Sequence, residues 1–302
     1  MKRVLITGTN SYIGNATGRY LQEYGAGPDK EYEVIYLSQR DVAWEKEDFS
    51  KYDCVLDVTG IAHVDEGKLS EEEQKQYMKI NCDLVVKTAE KAKREGVKRF
   101  LFCSSILVYG GNYSIGRGVQ ITKDTQPCPT NCYGASKWQA EQRLSAMETE
   151  DFKVIRLRIP FVYGPGCKGN YKLLSKWAGI LPVFPSIPGT KSMIYIENLS
   201  ECIRLLAEMG ESGVYFPQNA TYSSSAEMLM QIRKLQGKKT YLWSWWNPPV
   251  RVLAKLPGRG GKLLRKIFGT FVYDKDMSVL PENYQLVDFE ESIRRTERKE
   301  DL

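Results

Sequence analysis

Histidine is all but missing: His63 is the only one in 302 residues. A lone imidazole rules out histidine-rich metal sites and argues against a serine–histidine hydrolase. Cysteine is sparse and unpatterned. The seven, at 54, 82, 103, 128, 132, 167 and 202, are scattered through a long chain, and no signal peptide is expected from its opening residues. Reduced thiols and a cytoplasmic setting are therefore expected. Cys128 and Cys132 lie close together, but one short pair without a second makes no zinc site, and no metal is expected. No apolar run approaches the roughly 18 residues that suggest a membrane span. Acidic residues are missing from one long stretch: Arg233 to Lys266 holds ten Lys or Arg and no Asp or Glu. Net charge is only +6, so the rest of the chain is net negative. Basicity this local argues against a general nucleic-acid binder and points to one basic surface.

What is present starts at the first residues. Val4-Leu5-Ile6 has the size of a buried strand, and Thr7 to Gly14 turns the chain into a helical pattern over Asn15 to Gln22. A strand, a glycine turn and a helix N-terminus form an anion site that suits a pyrophosphate. Gly8 permits the sharp turn, and Gly14 permits close helix–strand packing. Further strands read at Glu33–Ser38, Cys54–Val58, Arg99–Ser104 and Lys153–Arg158. Helical stretches read at Leu69–Glu95, closed by Gly96, and at Asn131–Met147. This alternation predicts a doubly wound parallel α/β sheet with helices on both faces. Ligands in such sheets sit beyond the carboxyl ends of the strands. Beyond Gly164 the pattern loosens, so a sheet domain over 1–164 and a smaller substrate-binding lobe over 165–302 are expected.

Two segments add chemistry. In Tyr133-Gly134-Ala135-Ser136-Lys137 the tyrosine and lysine lie one helical turn apart and share a face. An ammonium beside a phenol lowers the phenol's pKa from about 10 and makes it a usable proton shuttle. Ser104-Ser105-Ile106-Leu107-Val108-Tyr109-Gly110 ends the fourth strand, where a serine can bond the same substrate oxygen.

Taken with the glycine turn, these segments resemble the extended short-chain dehydrogenase/reductase family, in its nucleotide-sugar epimerase/dehydratase group. Asn81, Leu157-Arg158-x-x-x-Val162-Tyr163-Gly164-Pro165-Gly166 and Ile194-Tyr195-Ile196-Glu197-Asn198-Leu199 follow in the same order. The resemblance implies a Rossmann fold to which residues 190–210 return. It implies Tyr133 as acid/base, Lys137 lowering its pKa and holding the nicotinamide ribose, and Ser105 as the catalytic serine. Gly8, Ser11, Tyr12, Ile13 and Gly14 would wrap the pyrophosphate; Asp57, Thr59, Gly60, Ile61 and Ala62 would line the adenine side. Ser104, Asn81 and Pro160 are further cofactor candidates, and Phe161 and Lys191 are substrate candidates, Lys191 at the substrate diphosphate. A homodimer through helices at 81–95 and 131–147 is also implied.

The chain departs from the pattern in places. Ser11 replaces the middle glycine of the turn. Ser38 stands where many relatives carry the acid that bonds the ribose of NAD; Arg40, nearby, could meet a 2′-phosphate. The cofactor is thus NAD or NADP, with a lean to NADP unless Asp41 takes the acid's place. Ile106 and Leu107 stand where sugar dehydratases carry Asp-Glu, and aliphatic side chains move no protons, so dehydration is excluded. Phe161 replaces an asparagine common in epimerases. Finally, Trp243, Trp245 and Trp246 precede Pro248-Pro249, and apolar residues recur at helical spacing to Phe271 among cations. Such a segment could lie on an anionic membrane; the plainer reading, preferred here, packs the aromatics inside the smaller lobe.

The expected activity is a UDP-hexose 4-epimerase working by reversible hydride transfer at C4. The alternatives are an NADP(H)-dependent 4-ketoreductase or 4-dehydrogenase on similar substrates and, from another class, a non-catalytic NAD(P)-sensing protein.

Overall fold

A computed structural model describes residues 1–24, 31–61, 69–111, 113–116, 118–167 and 169–298. Ala62 and His63, singled out above, lie outside the described residues. Strands β1 (Lys2–Thr7), β2 (Tyr32–Leu37), β3 (Cys54–Asp57), β4 (Arg99–Ser105), β6 (Lys153–Ile159) and β11 (Gly213–Tyr215) form a sheet in the order β2-β1-β3-β4-β6-β11. Every neighbouring pair is parallel. The strand order reverses between β1 and β3, and such a switch point opens a crevice at the carboxyl ends.

Burial follows the pleat. Val4, Ile6, Leu56, Leu101, Ile155 and Leu157 join the core on one face, and Leu5, Val55, Phe100, Phe102 and Val154 join the core on the other. Helices α1 (Tyr12–Tyr24) and α6 (Ile196–Met209) pack together. Among the remaining helices, α2 (Glu71–Met78) and α3 (Val85–Arg94) each contact α4 (Cys132–Ser145). The long helix read at 69–95 is broken by a π turn at Lys79–Leu84. That turn holds Asn81, whose amide bonds both the N–H and the carbonyl of Ile61 and the Ser136 hydroxyl.

The smaller part is built of short pieces. Strand β5 (Val119–Ile121) joins β9 (Thr190–Lys191), β12 (Ser223–Ser224) and β14 (Phe271–Tyr273). Strand β7 (Phe161–Tyr163) pairs with β10 (Met193–Tyr195), and β8 (Val183–Pro185) with β13 (Tyr241–Trp243). Helices α5 (Asn170–Ile180), α7 (Ser225–Leu235), α8 (Asn247–Lys255), α9 (Arg259–Phe268) and α10 (Phe289–Glu297) complete it. Among the described residues no helix is long and apolar enough to cross a membrane.

Candidate active site

A cleft of about 1840 Å³ runs along the carboxyl ends of β1, β2, β3, β4 and β6. Its lining includes Gly8, Ser11, Tyr12, Ile13, Ser38, Arg40, Thr59, Gly60, Ile61, Ser104, Ser105, Tyr133, Lys137 and Pro160. The structure thus gathers most of the sequence candidates around one space.

The glycine turn is built for an anion. Gly8 has φ +78°, and a Cβ there would sit 3.3 Å from the Thr59 backbone. Ser11 closes the turn and caps α1 through its hydroxyl, which accepts the Gly14 N–H at 3.3 Å. The amides of Tyr12 and Ile13 head the helix with no upstream carbonyl to bond. Gly14 does not line the cleft; it packs, since a Cβ would lie 2.8 Å from Val58 and 3.1 Å from Ile6. This cradle fits the pyrophosphate of a dinucleotide.

Along the edge at β2, Ser38, Gln39, Arg40 and Asp41 border the cleft. Arg40 is exposed, and Asp41 is committed to capping the next turn through Ala43 N–H. Thr59 donates to Gln39 Oε1 at 2.6 Å, and Gln39 Nε2 donates to Thr88 at 2.6 Å.

Two cofactor candidates lie behind the wall instead of on it. Asp57 is fully buried, and burial pushes its carboxyl up to about 6 against the pull of Lys137. Its Oδ1 accepts the Thr59 N–H, so it shapes the β3 turn from behind. Asn81, also fully buried, clamps Ile61 to α4 through Ser136. Ser104 borders the cleft, but its hydroxyl is given to Glu141.

Burial pushes the Tyr133 phenol up to about 12, and Ser105 is the neighbour that draws it back. Lys137 is occupied elsewhere. Its Nζ donates to the Thr59 carbonyl at 3.3 Å, lies 4.5 Å from the Phe102 ring centre and feels the Asp57 charge. Desolvation lowers the pKa of Lys137 itself. A shared helix face brings both groups to one cleft, but in the free protein the lysine's closest partner is a carbonyl.

Phe161 and Lys191 line a second cavity of about 240 Å³ that also includes Tyr113, Leu174, Trp177, Met193, Met228 and Phe271. Ser105 and Pro160 border both spaces. Lys191 Nζ donates to the Ile267 carbonyl at 2.7 Å and to Ser225 at 3.0 Å. Desolvation, then repulsion from Lys266, brings its pKa down to about 8.

Comparison with known proteins agrees with this geometry. A model of the NAD dependent epimerase/dehydratase family matches residues 4–181. The chain belongs to that family. A UDP-glucose 4-epimerase of Vibrio cholerae is 33% identical over 201 residues, covering 64% of this chain and 57% of that protein. An Escherichia coli O157:H7 N-acetyl-alpha-D-glucosaminyl-diphospho-ditrans,octacis-undecaprenol 4-epimerase is 30% identical over 135 residues, covering 42% and 39%. The matched regions therefore take in only part of either relative. The structure of a Bacillus cereus UDP-glucuronic acid 4-epimerase in complex with NAD superposes with a TM-score of 0.70 at 17% identity, over 97% of this chain and 96% of that one.

Within this family fold, several neighbours of the cleft were given no role by the sequence reading, although Tyr109, Arg158 and Glu197 stand in its motifs. Glu141 holds a buried ion pair with Arg158 at 2.7 Å, and Arg158 also reaches the Tyr109 hydroxyl. The network fixes Ser104, Tyr109 and α4 relative to β6. Glu197 and Arg295, paired at 2.5 Å, border the cleft from α6 and α10. Glu141 lies one helical turn after Lys137, but its partner Arg158 is seventeen residues on and in another element, so spacing offered no signal for the pair. Gly18, one turn after Gly14, did offer one: a Cβ there would overlap the Tyr36 hydroxyl.

Proposed function

We propose that this protein inverts the configuration at C4 of a hexose carried on a diphosphate, with a UDP-hexose as the leading substrate. The observation that supports it is the convergence of Ser105, Tyr133 and Lys137 on the cleft headed by the glycine turn, beside a second cavity reached past Ser105 and Pro160. A nicotinamide dinucleotide bound in the cleft would supply hydride exchange with the sugar carbon. Gly8, Ser11, Tyr12 and Ile13 would hold its pyrophosphate, and Thr59, Gly60 and Ile61 would border its adenosine.

In this reading the chain's part is proton handling and placement. Ser105 lowers the Tyr133 pKa and would share the sugar hydroxyl with it. Tyr133 keeps its proton until a positive charge enters the cleft, because burial disfavours phenolate in the free protein. Lys137, one helical turn from Tyr133 on α4 and bordering the same cleft, would stabilise phenolate on turning from the Thr59 carbonyl. Lys191, with Lys266 beside it, supplies positive charge for the diphosphate. Phe161 replaces a polar partner with an apolar wall.

A specific observation favours a second reading. The strand β2 edge presents Ser38, Gln39 and exposed Arg40, with Asp41 tied to its own turn, and this suits NADP and a net 4-ketoreductase or 4-dehydrogenase. The carrier also bears testing. The second cavity is lined mostly by apolar side chains, and the Escherichia coli relative acts, by its name, on a sugar diphosphate of undecaprenol.

The deciding experiment incubates the protein with a panel of UDP-hexoses and a polyprenyl-diphosphate hexosamine, with and without added NAD(P)H, read by proton NMR. Epimerisation without net cofactor consumption supports the proposal, and stoichiometric NADPH consumption supports the reductase. Tyr133→Phe is expected to lower turnover about a thousandfold while cofactor affinity stays near wild type. Full activity in that variant would remove Tyr133 from the mechanism.

A further inference from the structure

The tryptophan-rich stretch does not pack inside the smaller lobe. Trp243, Trp245 and Trp246 are 39%, 63% and 44% exposed. Their rings cluster, Trp245 stacked on Trp243 at 5.3 Å between centres and tilted against Trp246 at 5.2 Å. This is a correction to the reading preferred from the sequence. The reason is local: β13 pairs only with β8, and among the described residues its Tyr241, Leu242 and Trp243 stay exposed.

The apolar surface continues on both sides. Ile180 and Leu181, just before β8, are exposed beside Tyr241 and Leu242. On α8, Val250 and Ala254 turn inward, whereas Val252 and Leu253 face out. Interleaved with them are exposed Arg251 and Lys255 on α8 and Arg259 and Lys262 on α9. No Asp or Glu occurs between Glu227 and Asp274 to offset them. A contiguous exposed apolar patch of this kind marks an interaction surface.

We propose that this face docks on an anionic lipid bilayer. Charge complementarity selects the occupant. A second copy of the chain, placed on this face about a two-fold axis, would set cations against cations. An anionic bilayer instead offers negative headgroups to Arg251, Lys255, Arg259 and Lys262. It also offers an interface in which indoles and aliphatic side chains leave water. Helix α9 links this face to the second cavity: Leu263, Lys266 and Ile267 line it, and Leu263 and Leu173, both in that lining, are exposed at its rim. Docking therefore brings the cavity's opening to the lipid surface, where a sugar diphosphate with an apolar tail would be presented. That last point rests on the substrate reading above; the docking itself does not.

The test uses the full chain and needs no substrate. Sedimentation is measured with vesicles of phosphatidylcholine alone and with phosphatidylglycerol added, at low and high salt. Binding to the anionic vesicles is expected to be about tenfold stronger or more, to fall with salt, and to shift tryptophan emission to shorter wavelength. The double variants Trp245→Ser with Trp246→Ser, and Arg251→Glu with Lys255→Glu, alter exposed positions only. Each is expected to lose binding about tenfold while NAD(P) affinity, which reports an intact fold, is unchanged. The proposal is overturned by absent binding at low salt, by equal binding to neutral vesicles, or by variants that bind as the wild type does. Concentration-dependent self-association lost in the tryptophan variant, without vesicle binding, would equally overturn it. Docking without turnover on any sugar would sink the reaction and leave the surface standing; turnover without docking would do the reverse.

Discussion

At the scale of single residues, the site runs on two perturbed groups. Tyr133 is held near 12 by burial, and the Ser105 hydrogen bond is the influence that lowers it. Ser105→Ala therefore removes the offset. The ascending limb of kcat/KM, set by loss of the Tyr133 proton, is expected to move to higher pH, with turnover at neutral pH down by roughly a hundredfold, in a pH–rate profile. Lys191 works in the opposite sense. With a pKa near 8 it is cationic below that value and neutral above it. If it meets the diphosphate, KM should rise as pH passes 8, with kcat changing less. Lys191→Met should show the raised KM at every pH and no inflection near 8.

Between elements, the position of α4 is set by a glycine. A Cβ on Gly134 would lie 2.3 Å from the Leu107 carbonyl oxygen, a backbone atom that cannot swing aside. Gly134→Ala must push α4 from the loop after β4, and with it Tyr133 from Ser105. Turnover is expected to fall by about a hundredfold, since small misplacements of reacting groups are costly. Thermal denaturation should report a loss of roughly 1–3 kcal/mol from overpacking. Elements were also where the sequence was most and least legible. The turn after β1, the end of β4 and the Tyr133–Lys137 helix carry local signals, because glycine conformation and helical spacing act over a few residues. Strand β11 is three residues long and has no period to detect. Asn81 could be picked out, yet its work as a clamp on Ile61 depends on a contact twenty residues away. The tryptophans were visible, but composition does not say which way a short strand faces.

Over the whole molecule, the carboxyl-terminal helix ties the parts together. Ile293 on α10 is fully buried, Ser292 bonds Tyr163 at 2.7 Å, and Glu297 accepts from Tyr171 and Ser175. Arg295 reaches across to Glu197 at the cleft. Removing α10 leaves the Tyr163 hydroxyl with Asn219 alone and takes from Tyr171 its Glu297 partner at the wall of the second cavity. A chain ending before Asp288 is expected to melt at least several degrees lower and to lose sugar binding, while dinucleotide affinity falls less. Calorimetry and fluorescence titration would check both.

Ser105 and Pro160 belong to the lining of both the large cleft and the smaller cavity. Two adjoining rooms thus share a single partition. A bulkier residue at either position obstructs passage and disturbs chemistry in one stroke, so selection for new sugars would have to work on the far walls of the cavity and leave those two positions alone.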